Sequence, residues 1–311
     1  MRKFAAIAVS VGLAAALSSC VSGPLTGSDC ADTGNAALVT ASGAFGGDPE
    51  ARFPFPLVSE ETSVATVSDG DGARVPHGGV ASGAISVYDG ATGEPVLDPG
   101  NGQPIAGLAL LMPTASGFQL PFTESLACAS AGSRIAVEGH ASNLFNEGAV
   151  EALGLTADQS VVVVTDVDEV YLGRADGADQ VAQSGLPAVV LAPNGQPGFT
   201  FPDSPAPAEE RIVLLKRGAG AELADGDVAV VHYSALGWQA EAVSASSWPT
   251  LVPVRIALDG ADQQVSSTFV FAAAAKDALV GLPVGSQVLI VVPGDSSVVY
   301  VVDILGISEA Q

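Results

Sequence analysis

Side chains able to do chemistry are few and scattered in this chain of 311 residues. His77, His140 and His232 fall on separate segments, and no His/Cys/Asp/Glu spacing around them has the pattern of a metal site. Asp166-Val167-Asp168-Glu169 suggests cation binding or, more simply, the solvated acidic end of a strand. Ser244 to Ser247 has no basic partner placed to activate a hydroxyl. Gly70-Asp71-Gly72 and Gly218-Ala219-Gly220 are too short for phosphate loops, and their position before strands makes them turns. Trp238 and Trp248 can build an apolar surface or serve as core anchors. No metal and no cofactor is expected.

The elements that must position these residues read mainly as strands. Gly226-Asp227 is a turn that opens an apolar, β-branched strand carrying His232 and Tyr233, and a second segment ends at Ser246-Ser247-Trp248. The same order of landmarks occurs twice. Phe53-Pro54-Phe55-Pro56 corresponds to Phe199-Thr200-Phe201-Pro202. Gly70 and Gly78 correspond to Gly218 and Gly226 at an offset of 148. Gly132-Ser133 corresponds to Gly285-Ser286 at 153, and Asp166 to Asp303 at 137. An ordered series of this kind indicates an internal duplication. Each half reads as strand, turn, strand, a short helix and two more strands. The helices are expected at Thr123 to Ala131 and Phe271 to Val280, stopped by Gly132 and Gly281. The expected fold class is α+β, with two domains, each an antiparallel sheet wrapped on a short helix.

Thirty-four acidic against 11 basic residues give a net charge of -23, which argues against nucleic acid and against electrostatic adhesion to an anionic bilayer. The N-terminus has a short positive head, Met1-Arg2-Lys3, and an apolar run from Phe4 to Leu17 too short to span a membrane, the shape of a secretory signal. The run ends in Leu17-Ser18-Ser19-Cys20, which resembles the lipobox of bacterial lipoproteins. That resemblance implies cleavage before Cys20, a diacylglycerol on its sulfur and a lipid-anchored, extracytoplasmic chain at the cell membrane; the alternative is ordinary secretion. Residues 20–47 read as a Gly/Ser/Thr-rich tether. Cys30 and Cys128 then remain, either as a disulfide or as two buried thiols. A bridge between them would contribute about 4–5 kcal/mol in the chain-entropy model.

Val231-His232-Tyr233 followed by Ser246-Ser247 resembles the FKBP-type peptidyl-prolyl isomerases, where a Val-His-Tyr strand leads to Phe-Asp-Ser-Ser. Ala278-Leu279-Val280-Gly281-Leu282-Pro283-Val284-Gly285 is similar to that family's helix and the turn after it. The resemblance covers about Phe53 to Leu172 and Phe199 to Ile307. It implies the division 1–19 signal, 20–47 tether, 48–178 first FKBP-like domain, 179–198 linker and 199–308 second FKBP-like domain. In the family a dry aromatic pocket favours the twisted X-Pro amide. Lowering the barrier of about 18–20 kcal/mol by about 5 accelerates exchange several-thousand-fold without nucleophile or metal.

Carried over residue by residue, the resemblance places Tyr233 on the pocket tyrosine of the second domain. Ser244-Ala245 stands where Phe-Asp is expected, and Ala275 where the floor tryptophan is expected. In the first domain Ile85 falls on the tyrosine and Leu97-Asp98 on the Phe-Asp pair. Phe118 and Phe122 fall near the remaining wall positions, and Phe145 lies in a lid, 141–148. Asp98, Phe118, Phe122 and Phe145 thus form the better-preserved cup, or belong to the core. The implied function is isomerisation of proline-containing exported polypeptides, with a degenerate pocket in the second domain. The alternative is a non-catalytic peptide-binding or holdase lipoprotein that keeps only the fold.

Overall fold

In the computed structural model the apolar β-branched runs of the sequence become strands, and strands make up 43% of the molecule. The structure describes residues 32–47, 49–58, 61–76, 78–97, 99, 103, 106–111, 125–127 and 129–308. The first half starts with a 3-10 helix, Gly34–Leu38, and a hairpin of β1 (Thr40–Ser42) and β2 (Glu50–Arg52). It continues with β3 (Ser63–Ser68), β4 (Val80–Asp89), β5 (Ala106–Leu111), β6 (Arg134–His140) and β7 (Ser160–Tyr171), which form one antiparallel sheet in the order β3-β6-β7-β4-β5.

The connecting segment carries β8 (Ala178–Asp179) and a hairpin of β9 (Ala188–Leu191) and β10 (Pro197–Thr200). The second sheet contains β11 (Arg211–Arg217), β12 (Val228–Gly237), β13 (Ala242–Ser246) and β14 (Val254–Ala257). After a hairpin of β15 (Gln263–Ser266) and β16 (Phe269–Phe271) it is completed by β17 (Gln287–Val292) and β18 (Val298–Ser308). Its order is β13-β12-β18-β17-β11-β8, with β14 also on β12.

The two sheets share more than strand order. Gly83 pairs with Val167 just after a bulge at Asp168 of β7, and Val231 pairs with Ile304 just after a bulge at Leu305 of β18. These are the same places at the offsets of 148 and 137. β3 and β11 also bulge at equivalent points, Thr66/Ser68 and Leu214/Lys216. Gly132 (φ 86°) donates to Val167 O and Gly285 (φ 90°) to Ile304 O; a left-handed φ at both turns is why glycine occupies them. Even the hairpins correspond: Ala41 faces Ala51, and Val189 faces Phe199. That register sets Phe53 against Phe201, two residues away from the match that the Phe-Pro pattern suggests.

The fold class expected from the sequence is not the one observed. The molecule is mostly β, with several sheets, and the described residues include three α-helices: α1 (Ala141–Leu144), α2 (Glu147–Ala152) and α3 (Ala273–Asp277). The Ala-rich run 271–280 supplies helical propensity, yet only five residues of it are helical, less than two turns. Among the described residues of the helix expected at 123–131, 125–127 form a 3-10 turn and 129–131 are not helical. The expected lid at 141–148 is helical at α1 and the start of α2.

The central strands are buried on both faces, which is why Val161 to Val164 in β7 and Val228 to Val231 in β12 read as apolar runs rather than alternating ones. The inner faces hold the two large cores, around Val137 and Val163 in the first half and around Val231 and Ile290 in the second. The outer faces are covered by the segment that precedes each sheet. Val39, Phe53 and Leu57 lie over Tyr88, Val162 and Val164. Leu186, Phe199 and Phe201 lie over Leu236, Trp238 and Val299. From residue 33 onward the stretch read as a tether is thus packed structure, with Ala36 and Val39 buried.

Candidate functional site

Alternation along β12 sends Val231, Tyr233 and Ala235 to the inner face, and alternation along β18 sends Tyr300, Val302 and Ile304 there. Phe269 and Phe271, two apart on β16, face the same way. The result is a four-ring cluster. Tyr233 stacks on Phe269 with centroids 5.6 Å apart and meets Phe271 edge-on at 5.5 Å. Tyr300 lies 4.9 Å from Phe271 and 6.2 Å from Phe269. Tyr233, Phe271 and Tyr300 are buried, and Phe269 covers them at the surface. Burial raises both tyrosine pKa values, so both stay neutral; the Tyr300 hydroxyl accepts the Ala272 N–H at 3.4 Å, which only partly offsets its burial.

Around this cluster Ala275, on α3, is fully buried, and Ala245 is half-buried against the same core. Ser244 is exposed and donates to Ala235 O at 3.1 Å. Tyr233 therefore sits in an aromatic cluster, but its neighbours are rings of this chain in mutual contact. Sequence reasoning missed Phe269 and Tyr300; the i, i+2 spacing of Phe269 and Phe271 was the available signal.

On the opposite face of β12, His232 stacks on Trp248 with centroids 4.4 Å apart, and its Nδ1 lies 2.9 Å from Ser247 Oγ. A basic partner is thus placed against Ser247, contrary to the reading of that segment by sequence. Fifteen residues separate the two, and only the pairing of β12 with β13 brings them together. Ser247 Oγ also accepts the Tyr233 N–H at 3.0 Å and lies 3.5 Å from Tyr233 O, so its proton has two acceptors in reach, the imidazole and that carbonyl. Burial pushes His232 down to about 4, too weak a base to activate a hydroxyl near neutral pH. With both residues buried, the pair anchors Trp248 and does not form a nucleophile.

A second buried polar pair repeats in the two halves. Arg134 donates from Nε and Nη2 to Asp166 at 2.5 and 2.7 Å, while Gly46 N donates to Asp166 Oδ2 at 2.7 Å. In the second half Gln287 replaces the arginine, donating to Asp303 Oδ1 at 2.7 Å, and Ala175 N donates to Oδ2 at 2.8 Å. Each carboxylate therefore holds the segment that leads into its own sheet. Burial raises Asp303 to about 6 despite these hydrogen bonds and the charges of Lys216 and Arg174.

In the first half Phe145 is buried, 2% exposed, in the inner core beside Leu144 and Val161. Ile85 packs on the same core. Asp98, Phe118 and Phe122 lie outside the described residues, as do Cys20, Cys30 and Cys128. The structure thus brings Tyr233 into an aromatic cluster and Phe145 into a core.

Comparisons with known proteins yield structures only. The three FKBP domains of wheat FKBP73 are 10% identical, covering 79% of this chain and 94% of that one, at a TM-score of 0.32. The N-terminal domain of FKBP42 from Arabidopsis thaliana is 17% identical, covering 36% of this chain and all of its own, at 0.27. A putative peptidyl prolyl cis-trans isomerase, FKBP12 from Mycobacterium tuberculosis, is 19% identical, covering 38% and 93%, at 0.24. These structural neighbours are FKBP-domain proteins. No family model and no curated protein matches the chain.

Proposed function

We propose that the chain is a tandem FKBP-type prolyl isomerase acting on exported polypeptides, with the chemistry in the first unit and a non-catalytic second unit. The observation that carries the division of labour is the closed aromatic cluster: Tyr233, Phe271 and Tyr300 are buried under Phe269. A twisted prolyl amide needs an open, dry pocket, and these walls are already occupied by each other. Catalysis is accordingly assigned to the first unit, at Asp98, Phe118 and Phe122, with Phe145 in the core of that unit. Exchange of Xaa-Pro peptides, followed by NMR with the full chain, tests the assignment. Phe122→Ala and Asp98→Ala each lower the rate at least tenfold, whereas Tyr233→Ala leaves it unchanged in the fraction that remains folded. Wild-type protein without acceleration would sink the enzyme reading.

A second reading, peptide binding without catalysis, is favoured by Phe145, which is a core side chain and leaves the lid position without an exposed aromatic. It expects saturable binding of the same peptides with no change in exchange rate. For location we propose a lipid anchor at Cys20, supported by the signal-like N-terminus and the lipobox-like Leu17-Ser18-Ser19-Cys20. Membrane fractionation with and without globomycin tests it, and a fully soluble mature chain refutes it.

A further inference from the structure

The two halves differ at the outer edge of their first strand. In the first half that edge is closed by residues of the chain itself. Val64 O accepts the Thr33 N–H at 2.8 Å, Val64 N donates to Thr33 Oγ1 at 3.1 Å, and Thr66 N donates to Asp32 Oδ1 at 2.8 Å. The 3-10 helix that follows then buries Ala36, whose N–H donates to Ser63 Oγ at 2.9 Å.

At the offset of 148 the equivalents of Val64 and Thr66 are Ile212 and Leu214 on β11. Among the described residues neither bonds outside the β11–β17 ladder. The covering segment pairs only at Lys216 and Arg217, through β8, with Gln180 N donating to Leu215 O at 2.8 Å. Beyond this it lifts away from the sheet, leaving Val181 90% exposed. A cavity of about 460 Å³ opens between Leu186, Val189 and Leu191 on one side and Val213, Leu215 and Leu289 on the other.

Its surroundings are mixed in charge, with Asp179 in the cavity wall and Glu209-Glu210 just before β11, and the cations are concentrated on the strand itself. β11 holds Arg211, Lys216 and Arg217, three of the 11 Lys and Arg in a molecule of net charge -23. Lys216 meets Asp179, whose side chain is 85% exposed, so this pair is a weak, solvent-screened one and easily exchanged. Arg211 reaches only the amide of Gln183, at 2.9 Å.

We propose that the free edge of β11 and the cavity beside it form a docking groove for an extended, acidic polypeptide segment. The segment caps β11 as Asp32 and Thr33 cap β3: a backbone N–H donates to Ile212 O, a side-chain oxygen accepts the Leu214 N–H, an apolar side chain enters the cavity, and the carboxylate lies toward Lys216. Edge strands are templates for this kind of addition. The groove lies away from the aromatic cluster and does not depend on the isomerase reading.

The test uses a fluorescent peptide with the sequence of residues 31–38, Ala-Asp-Thr-Gly-Asn-Ala-Ala-Leu, titrated against the full chain. Saturable binding is expected, weakened several-fold between low and high salt. Ala182→Trp and Ala188→Trp, at exposed positions lining the cavity, each weaken binding at least tenfold while keeping the unfolding midpoint. Replacing the peptide's Asp with Lys also abolishes binding. Tyr233→Ala leaves affinity unchanged. The proposal is overturned if no binding is found up to millimolar peptide, or if both tryptophan variants bind normally. Self-association of the chain that these variants abolish, without peptide binding, also overturns it, in favour of an interface between copies.

Discussion

At the residue scale the informative positions are buried polar groups. Asp303 is raised to about 6, above the usual carboxylate value of 3.8, because burial disfavours its charge. The folded state then binds more protons than the unfolded state between these values, so stability falls as pH rises from about 4 to 6 and is flat above. Asp303→Asn keeps an acceptor for Ala175 N and removes the buried charge. It is expected to flatten that slope and to stabilise the chain at pH 7 by on the order of 2 kcal/mol, read from urea unfolding at a series of pH values. The equivalent carboxylate, Asp166, is paired with a buried cation, Arg134. Arg134→Ala strands Asp166 at 1% exposure, with an expected cost of about 3–5 kcal/mol. Arg134→Gln, which copies the second half, costs clearly less in the same denaturation experiment.

At the element scale α3 illustrates how a short helix is held. Its first turn is capped from outside, Ala273 N donating to Asp262 Oδ1 at 2.7 Å. From its other face Lys276, 1% exposed, donates to Asp259 Oδ1 and Ala261 O, each at 2.5 Å. The two ends of this ion pair are unequal. Asp259→Ala leaves a buried ammonium with one carbonyl and is expected to lower the unfolding temperature measurably. Lys276→Met keeps the aliphatic stem and removes the charge, so thermal unfolding is expected to change by less than about 1 kcal/mol. An equal loss in both variants would contradict this reading. The strands were legible in the sequence because β-branched runs such as Val161 to Val164 have little alternative. The helix at 271–280 was overextended, because alanine content reports propensity and not the contacts that stop a helix.

At the scale of the whole molecule the ends of β7 and β18 meet. Tyr171 and Val80 pack with Val230 and Leu305, and Leu172 N donates to Leu305 O at 3.1 Å. Ser308 Oγ and the Tyr171 hydroxyl both donate to Glu169 Oε2, tying the last strand of one half to that of the other. A Cβ at Gly306 would run into the Tyr171 ring, so Gly306→Ala is expected to loosen this junction. Limited proteolysis should then cut between residues 172 and 177 faster than in the wild type, while unchanged cleavage would show that the ring can move aside.

The sequence by itself determined the repeated order of landmarks and the strands, since both are written in local pattern: glycines where φ must be positive, apolar runs where two faces are buried. Tyr233 was singled out only through the family resemblance, as a pocket tyrosine. Only the tertiary structure decided what lies across from each residue. Phe269 closes over Tyr233, His232 meets Ser247, a stretch with the composition of a tether covers a sheet, and the same edge is sealed in one half and open in the other. Those outcomes depend on contacts between segments far apart in the chain, and no local pattern encodes the partner.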